Sequence, residues 1–369
     1  MANVFPKLHI FLGAGGVGKT TLSASFALSL ASSGKKVGLI SIDPAKRLQT
    51  ALGVGVISES GTLIPLNNSK GELRAAILHI GESLVRWVDE KGMSPEKREN
   101  LFKNPYFAAL SSKMASAVDT LAAIRVAEWL EQYPDTEELV IDTAPGIHAI
   151  DFIAKPEKVS SFLDSKIIDW IKWFVGGAHE KQNFVARAFK TGARKVLDGL
   201  ALVGGRNFII NFGEFLIMLD EVFITALERL KYSQKWLKHS STNIVLVTSI
   251  REDAISVAKE INRVLTQLGL PPKLAVINRT FPIHLKNEEY LKLFMNKNDF
   301  MNSNEKLFAN YLASYFATQL KVHEQLSSSS LTIVEIPIAA SLDGEQDLRL
   351  SDLSSLGDII RSKTGKNTR

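Results

Sequence analysis

The chain has no cysteine. Disulfides, zinc thiolate sites and iron–sulfur clusters are therefore excluded at the level of composition. It also has no Lys/Arg-rich block of five or more. Its 44 basic and 39 acidic residues leave a net charge of only +5 over 369 positions. That balance describes a mixed, solvated surface, and no nucleic-acid partner is expected from it. The basic end, Arg361 to Arg369, reads as a frayed tail. Nor is there a long uncharged apolar run. The most apolar stretch, Asn207 to Leu230, carries Glu214, Asp220, Glu221 and Glu228, too many charges for a lipid-facing span. A strand-like run begins within seven residues of the amino terminus with no signal-peptide pattern before it, so a cytoplasmic location is expected. What is present, 45% hydrophobic and 22% charged residues, suits one large folded α/β domain or two ordinary ones.

Short apolar runs without polar alternation read as buried parallel strands. They are Leu8–Leu12, Val37–Ile42, Leu139–Ile141, Ile244–Val247, Leu274–Ile277 and Thr332–Ile336. Helical patterns follow at Thr20–Ser33 and Asp253–Leu268. Strands alternating with helices predict a mostly parallel, doubly wound sheet. Two interruptions divide the chain: a stretch from about Lys70 to Glu131, read as helical, and one from about Asp151 to His239. The second carries apolar stripes at helical spacing, Leu163 to Phe174 and Phe208 to Leu230. The expected organisation is a core over 1–150 and 240–369 with a helical insertion over 151–239.

One stretch carries specific chemistry. Phe11 to Leu22, FLGAGGVGKTTL, fits G-x-x-x-x-G-K-[ST] at Gly13, Gly18, Lys19 and Thr20, with a strand before and a helix after. Glycines let successive backbone N–H groups turn inward on an anion, and the helix adds its positive end. Lys19 is placed to reach the β/γ-phosphates, and the Thr20 hydroxyl to ligate Mg²⁺. Asp43 and Asp142 each end an apolar strand, where ligands of open parallel sheets bind. Carboxylates there can hold a metal through water or orient an attacking water.

These segments together, GAGGVGKTT, SIDPAKRL, VIDTAPGIHAIDF, VINRT and VEIPIAA, resemble the ATPases of the arsenite-pump (ArsA) and tail-anchored-protein-targeting type, a deviant-Walker branch of the P-loop NTPases. The resemblance is nearest to bacterial anion-transporting ATPases. It implies ATP and Mg²⁺ as ligands, with Gly15, Gly16, Val17, Gly18, Lys19, Thr20 and Thr21 as the phosphate loop. Asp43 would orient the hydrolytic water, and Asp142 would sit near Mg²⁺. His148 would fill the switch-two histidine position. Asn278 would bond the adenine, and Pro337 would line its pocket. Asn296-Lys-Asn-Asp299 imitates a guanine-reading motif but follows a polar helical pattern, so ATP is expected.

The chain departs from the family in three ways. The family loop usually carries lysine where this one has Ala14, and that lysine reaches across a dimer to the partner's nucleotide. A paralogous subunit, Lys46 or Arg47 could replace it, or turnover could be slow. Gly146-Ile147 replaces the usual Thr-Gly. Without cysteine, neither thiolate-bound arsenite nor a zinc-stapled dimer can form. The expected partners are a second copy or a paralogous ATPase, and a membrane-protein client or membrane partner for the insertion. Two alternatives stand beside this: an ATP-binding regulatory subunit of a heterodimer, and an organising ATPase of the partitioning or division-site kind. The latter would need an amphipathic membrane helix or a basic face.

Overall fold

A computed structural model of the chain describes residues 6–43, 47–66, 69–104, 118–146, 150, 153, 225–226, 228–282, 302–327, 331–338 and 350–364. The chain forms two compact units. The first comprises Met1–Leu78, Tyr133–Asp151 and Trp236–Arg369, and the second His79–Gln132 and Phe152–Lys235.

In the first unit, β1 (Lys7–Gly13), α1 (Lys19–Ser32), β2 (Lys36–Ser41), α2 (Arg47–Leu52), β3 (Thr62–Ile64) and β4 (Glu72–Ile77) come first. In the second, α3 (Ile80–Glu90), α4 (Pro95–Lys103) and α5 (Val118–Gln132) follow. The first unit then resumes with β5 (Glu138–Asp142), β6 (Asn243–Ser249), α6 (Glu252–Gln267), β7 (Leu274–Thr280), α7 (Ser303–Ser327), β8 (Thr332–Pro337) and α8 (Leu350–Thr364).

The strands make one eight-stranded sheet in the order β3-β4-β2-β5-β1-β6-β7-β8. All described pairings are parallel except β3 on β4. The expected parallel α/β architecture is therefore the one found. Past Lys7, every residue of β1 is buried, and all of β5 is. Strands covered on both faces need no polar alternation, which is why these read as continuous apolar runs.

One reading needs correcting. The stretch read as helical from Lys70 opens instead with β4, paired in parallel with β2 along its whole length. Its sequence, Glu-Leu-Arg-Ala-Ala-Ile, holds five good helix formers and little alternation. The sheet neighbour and burial of Leu73, Ala75, Ala76 and Ile77 override that local preference. Helices do follow from Ile80 onward.

Helix α1 buries a run of small residues, Ala24, Ser25, Ala27 and Ser29, of which Ser25 and Ser29 meet α8. These let α8 approach closely. A methyl on Gly357 would stand 1.9 Å from the Ser25 carbonyl oxygen, and Ser29 Oγ donates to Asp358 Oδ1 at 2.6 Å. Gly357→Ala forces the helices apart, since no flexible side chain can yield. The expected loss is about 3 kcal/mol, read as a lowered urea midpoint of the purified chain. An unchanged midpoint would contradict this packing.

In the second unit, Ser94 caps α4 by accepting from the Lys97 N–H, with Pro95 at the first helical position. The buried carboxylate of Glu128 is satisfied by Arg86 at 2.7 Å, Arg229 at 3.1 Å and the Trp87 indole N–H. A buried charge needs that degree of pairing. The insertion stripes from Leu163 to Phe223, His148 and the Asn296–Asp299 motif lie outside the described residues. Among the described residues, no helix is long and apolar enough to cross a membrane.

Candidate nucleotide site

Register delivers the site. On β1, Phe11 pairs with Asp142 of β5 and Gly13 with Val247 of β6. On β2, Ser41 pairs with Asp142 as well. The carboxyl ends of β2, β5, β1 and β6 thus lie side by side. Chain order reverses between them, which is where open α/β sheets bind ligands.

Between β1 and α1 the chain turns through the glycine-rich loop. Gly18 caps α1 in the left-handed region, at φ 90°, with no side-chain cap and no acidic residue in the first turn. The helix's unpaired N–H groups are left for an external anion. A side chain at Gly18 would be strained, and its Cβ would stand 2.4 Å from Asn278 Nδ2.

Lys19 is buried, and its Nζ donates to the Ala14 carbonyl at 2.9 Å. Burial pulls its pKa below that of a free lysine, against the raising pull of Asp142 and then Asp43. The Ala14 methyl is only 3% exposed and belongs to the apolar core.

Asp142 is fully buried. Its Oδ2 accepts from Ser41 Oγ at 2.9 Å, and its backbone carbonyl accepts from the Ile42 N–H at 2.8 Å. Oδ1 has no hydrogen-bond partner among the described residues. Burial raises its carboxyl to about 6, although hydrogen bonds from Thr20 and Ser41 and the charge of Lys19 pull the other way. An orphaned, desolvated carboxylate oxygen beside a threonine hydroxyl suits a hard divalent cation. Mg²⁺ therefore fits these residues. Among the described residues no cluster of three or more His, Cys, Asp or Glu could hold a metal ion by itself.

Asp43 lies two residues beyond β2. Its Oδ2 is paired with Arg47 at 3.3 Å. Arg47, one candidate for the missing loop cation, is thus drawn toward Asp43, while Lys46 lies outside the described residues. The segment after β5, which the resemblance would make switch two, is bonded to β1: the Gly146 N–H donates to the Gly13 carbonyl at 2.9 Å, and Thr143 Oγ1 to the Phe11 carbonyl at 2.7 Å.

A cavity of about 540 Å³ gathers Gly16, Gly18, Lys19, Thr20, Thr21 and Asp43, with Arg47, Thr143 and Arg279 among its other walls. Asn278 closes over the loop from the far side. Its Nδ2 donates to the Val17 carbonyl at 2.8 Å, and its Oδ1 accepts from the Arg279 N–H at 2.9 Å. Both ends of that amide are engaged, so contact with a base would exchange one of these bonds. Pro337 ends β8 beside Thr280. Arg279 takes φ 56°, unusual for a residue with a side chain, at a bulge in the β7–β8 pairing. Sequence reasoning missed Ser41 and Thr143. A polar serine inside an apolar strand two residues before Asp43 was the available signal for the first.

Comparison with known proteins falls on the same segments. The family model for the anion-transporting ATPases matches residues 7–196, just over half of the chain. An arsenical pump-driving ATPase of Acidiphilium multivorum is 30% identical over 170 residues, covering 45% of this chain and 28% of that relative. ATPase GET3 of Zygosaccharomyces rouxii is 28% identical over 183 residues, or 44% and 52% of the two chains. ATPase GET3B of Arabidopsis thaliana is 23% identical over 370 residues, or 96% and 78%. The match thus spans well under two thirds of the first two relatives. Since the matched residues include the loop, the ends of β1, β2 and β5 and both carboxylates just described, the chain belongs to the anion-transporting (ArsA-type) ATPase family.

Proposed function

We propose that this chain is a Mg²⁺-dependent ATPase whose switch loops respond to the terminal phosphate of ATP and move a helical subdomain that handles a protein or membrane-associated partner. The observation that carries the reading is the single cavity in which loop glycines, Lys19, Thr20 and Asp43 converge, with Asp142 buried beside Thr20.

The roles follow from geometry and charge. Loop N–H groups and the α1 terminus bind the phosphates. Lys19 leaves the Ala14 carbonyl for phosphate oxygens, a stronger partner for an ammonium. Thr20 and, through water, Asp142 would hold Mg²⁺, which would supply Lewis-acid stabilisation of phosphate charge there. Asp43 orients the attacking water, and Arg47 steadies Asp43. Switch two senses the outcome through its two hydrogen bonds to β1. Asn278 and Pro337 are assigned to the base side.

Client handling and dimerisation rest on the resemblance to the arsenite-pump and tail-anchored-targeting ATPases, and belong to this proposal. The heterodimer alternative draws on one observation, the buried methyl of Ala14. A lysine there would have to leave the core before it could reach a partner. Against a membrane-organising role, the apolar stripe Leu353, Gly357 and Ile360 of α8 is already buried in the first unit's core.

Asp43→Asn tests the reading. The variant should bind Mg·ATP as tightly as the parent while turnover falls about 10²–10⁴-fold. In that ATP-locked form it should also retain a client in a pull-down from the native cell. Normal hydrolysis by Asp43→Asn would remove Asp43 from the mechanism. Strong turnover by the isolated parent chain would dispose of the regulatory-subunit alternative.

A further inference from the structure

Ala14 leaves the loop with one lysine, and that lysine is buried. Phosphoryl transfer spreads negative charge over the terminal phosphate oxygens, and a second cation placed there accounts for large rate effects in such enzymes. The cations around the loop can be sorted by position.

Arg47 walls the cavity and is already assigned above to steadying Asp43, to which it pairs at 3.3 Å. Arg279 adjoins Asn278, which reaches Val17 and Gly18, toward the base end of the loop. The opposite end is Gly15. A methyl there would lie 3.7 Å from the Cβ of Pro145, in switch two. Arg251 stands at this end. It follows β6, the strand beside β1, and caps α6, so the sheet itself brings it to the loop.

Arg251 Nη2 donates to the Gly15 carbonyl at 3.2 Å. Nε and Nη2 also grip the two oxygens of Asp253 at 3.1 and 2.9 Å. Among the described residues Nη1 has no hydrogen-bond partner, and a methyl on Gly16 would lie 3.7 Å from it. Asp253 is 69% exposed and the arginine side chain 53%, so the pair exchanges readily with another anion. Arg251 lies against Gly15 and Gly16 and is not among the residues that wall the cavity, so a role at the phosphates requires its side chain to leave Asp253 and the Gly15 carbonyl.

We propose that Arg251 is a catalytic arginine supplied in cis, which takes the charge-neutralising place left open by Ala14. The inference rests on the nucleotide reading above. A water oxygen bonds to the γ-phosphorus while the bond from that phosphorus to the β–γ bridging oxygen breaks. The electron pair leaves with ADP, and the water's proton ends on the released phosphate system. Arg251 moves from the Gly15 carbonyl onto the oxygens that gain charge. Its planar fork can meet two oxygens at once, which an ammonium cannot.

The test uses the full chain with Arg251→Ala, Arg251→Lys and Lys19→Ala. Two readouts are followed: affinity for a fluorescent Mg·ATP analogue with single-turnover hydrolysis, and affinity for Mg·ADP with and without aluminium fluoride, a mimic of the transferring phosphoryl group. Arg251→Ala should bind the ATP analogue within about threefold of the parent. Its hydrolysis should drop by about 10³-fold, and aluminium fluoride should no longer tighten Mg·ADP. Arg251→Lys should recover little of either. The proposal is overturned if Arg251→Ala hydrolyses ATP within about threefold of the parent. It is also overturned if the variant loses only affinity, or if the parent shows no fluoride-dependent tightening. A parent that binds no Mg·ATP, and matches Lys19→Ala in this, would remove the nucleotide reading itself and the proposal with it.

Discussion

Lys19→Ala is expected to weaken Mg·ATP binding at least about 30-fold and to lower single-turnover hydrolysis by about 10²–10³-fold. The ammonium is the loop's own cation, buried beside Asp142 and Asp43. With nucleotide bound it is a charged donor to phosphate in a site of low water content, where each such bond is worth several times its value in solvent. The fold should survive the change. The hydrogen bond from Lys19 to the Ala14 carbonyl is local, and removing a charge that burial already disfavours offsets the loss. Calorimetric titration beside a urea melt separates the two effects. A variant that keeps full affinity would refute the phosphate loop, whereas one that fails to fold would show Lys19 to be structural.

Asp142→Asn should make the metal-free protein more stable at pH 8 and leave it nearly inactive. Burial pushes the carboxyl up to about 6 in the folded protein, against 3.8 for an unburied aspartate. Between those two values the folded state holds a proton that the unfolded chain has released, so stability falls as pH rises from about 4 to about 6 and then levels off. Most aspartates, whose folded values are depressed, behave in the opposite sense. About two pKa units correspond to about 3 kcal/mol. This is an upper bound on the gain, because an amide nitrogen at the Oδ1 position would itself lack a partner. The two proteins should converge below pH 4. Urea midpoints in EDTA across pH 4–8 provide the measurement. Adding Mg²⁺ and ATP should then stabilise the parent and not the variant. Parallel curves for the two proteins would show that Asp142 is not held against its charge.

The loop and the carboxylates were legible because their chemistry is local. A glycine must stand where φ is positive at Gly18, and an aspartate after an apolar run marks a strand end, as at Asp142. The parallel strands were legible because a strand buried on both faces has no polar alternation to confuse it. β4 was not legible: Leu73 to Ile77 is short, holds two alanines and takes its conformation from β2. The three-residue β3 is likewise an edge pairing that exists only because β4 is there. The fate of α8 was hidden too. Its short apolar stripe could have suited several partners until Gly357 was seated against Ser25.

By itself the amino-acid order determined which groups this protein can bring to a phosphate: a loop of glycines, one lysine, one threonine and two aspartates, with no thiol. Tertiary structure alone decided which charges meet. Arg47 was drawn to Asp43, Asp142 was stripped of water, and Arg251, 236 positions after Gly15, was set on that residue's carbonyl. The reason is physical. Burial and distance set the energy of a charge, and both depend on strands that are remote along the chain and adjacent in the sheet.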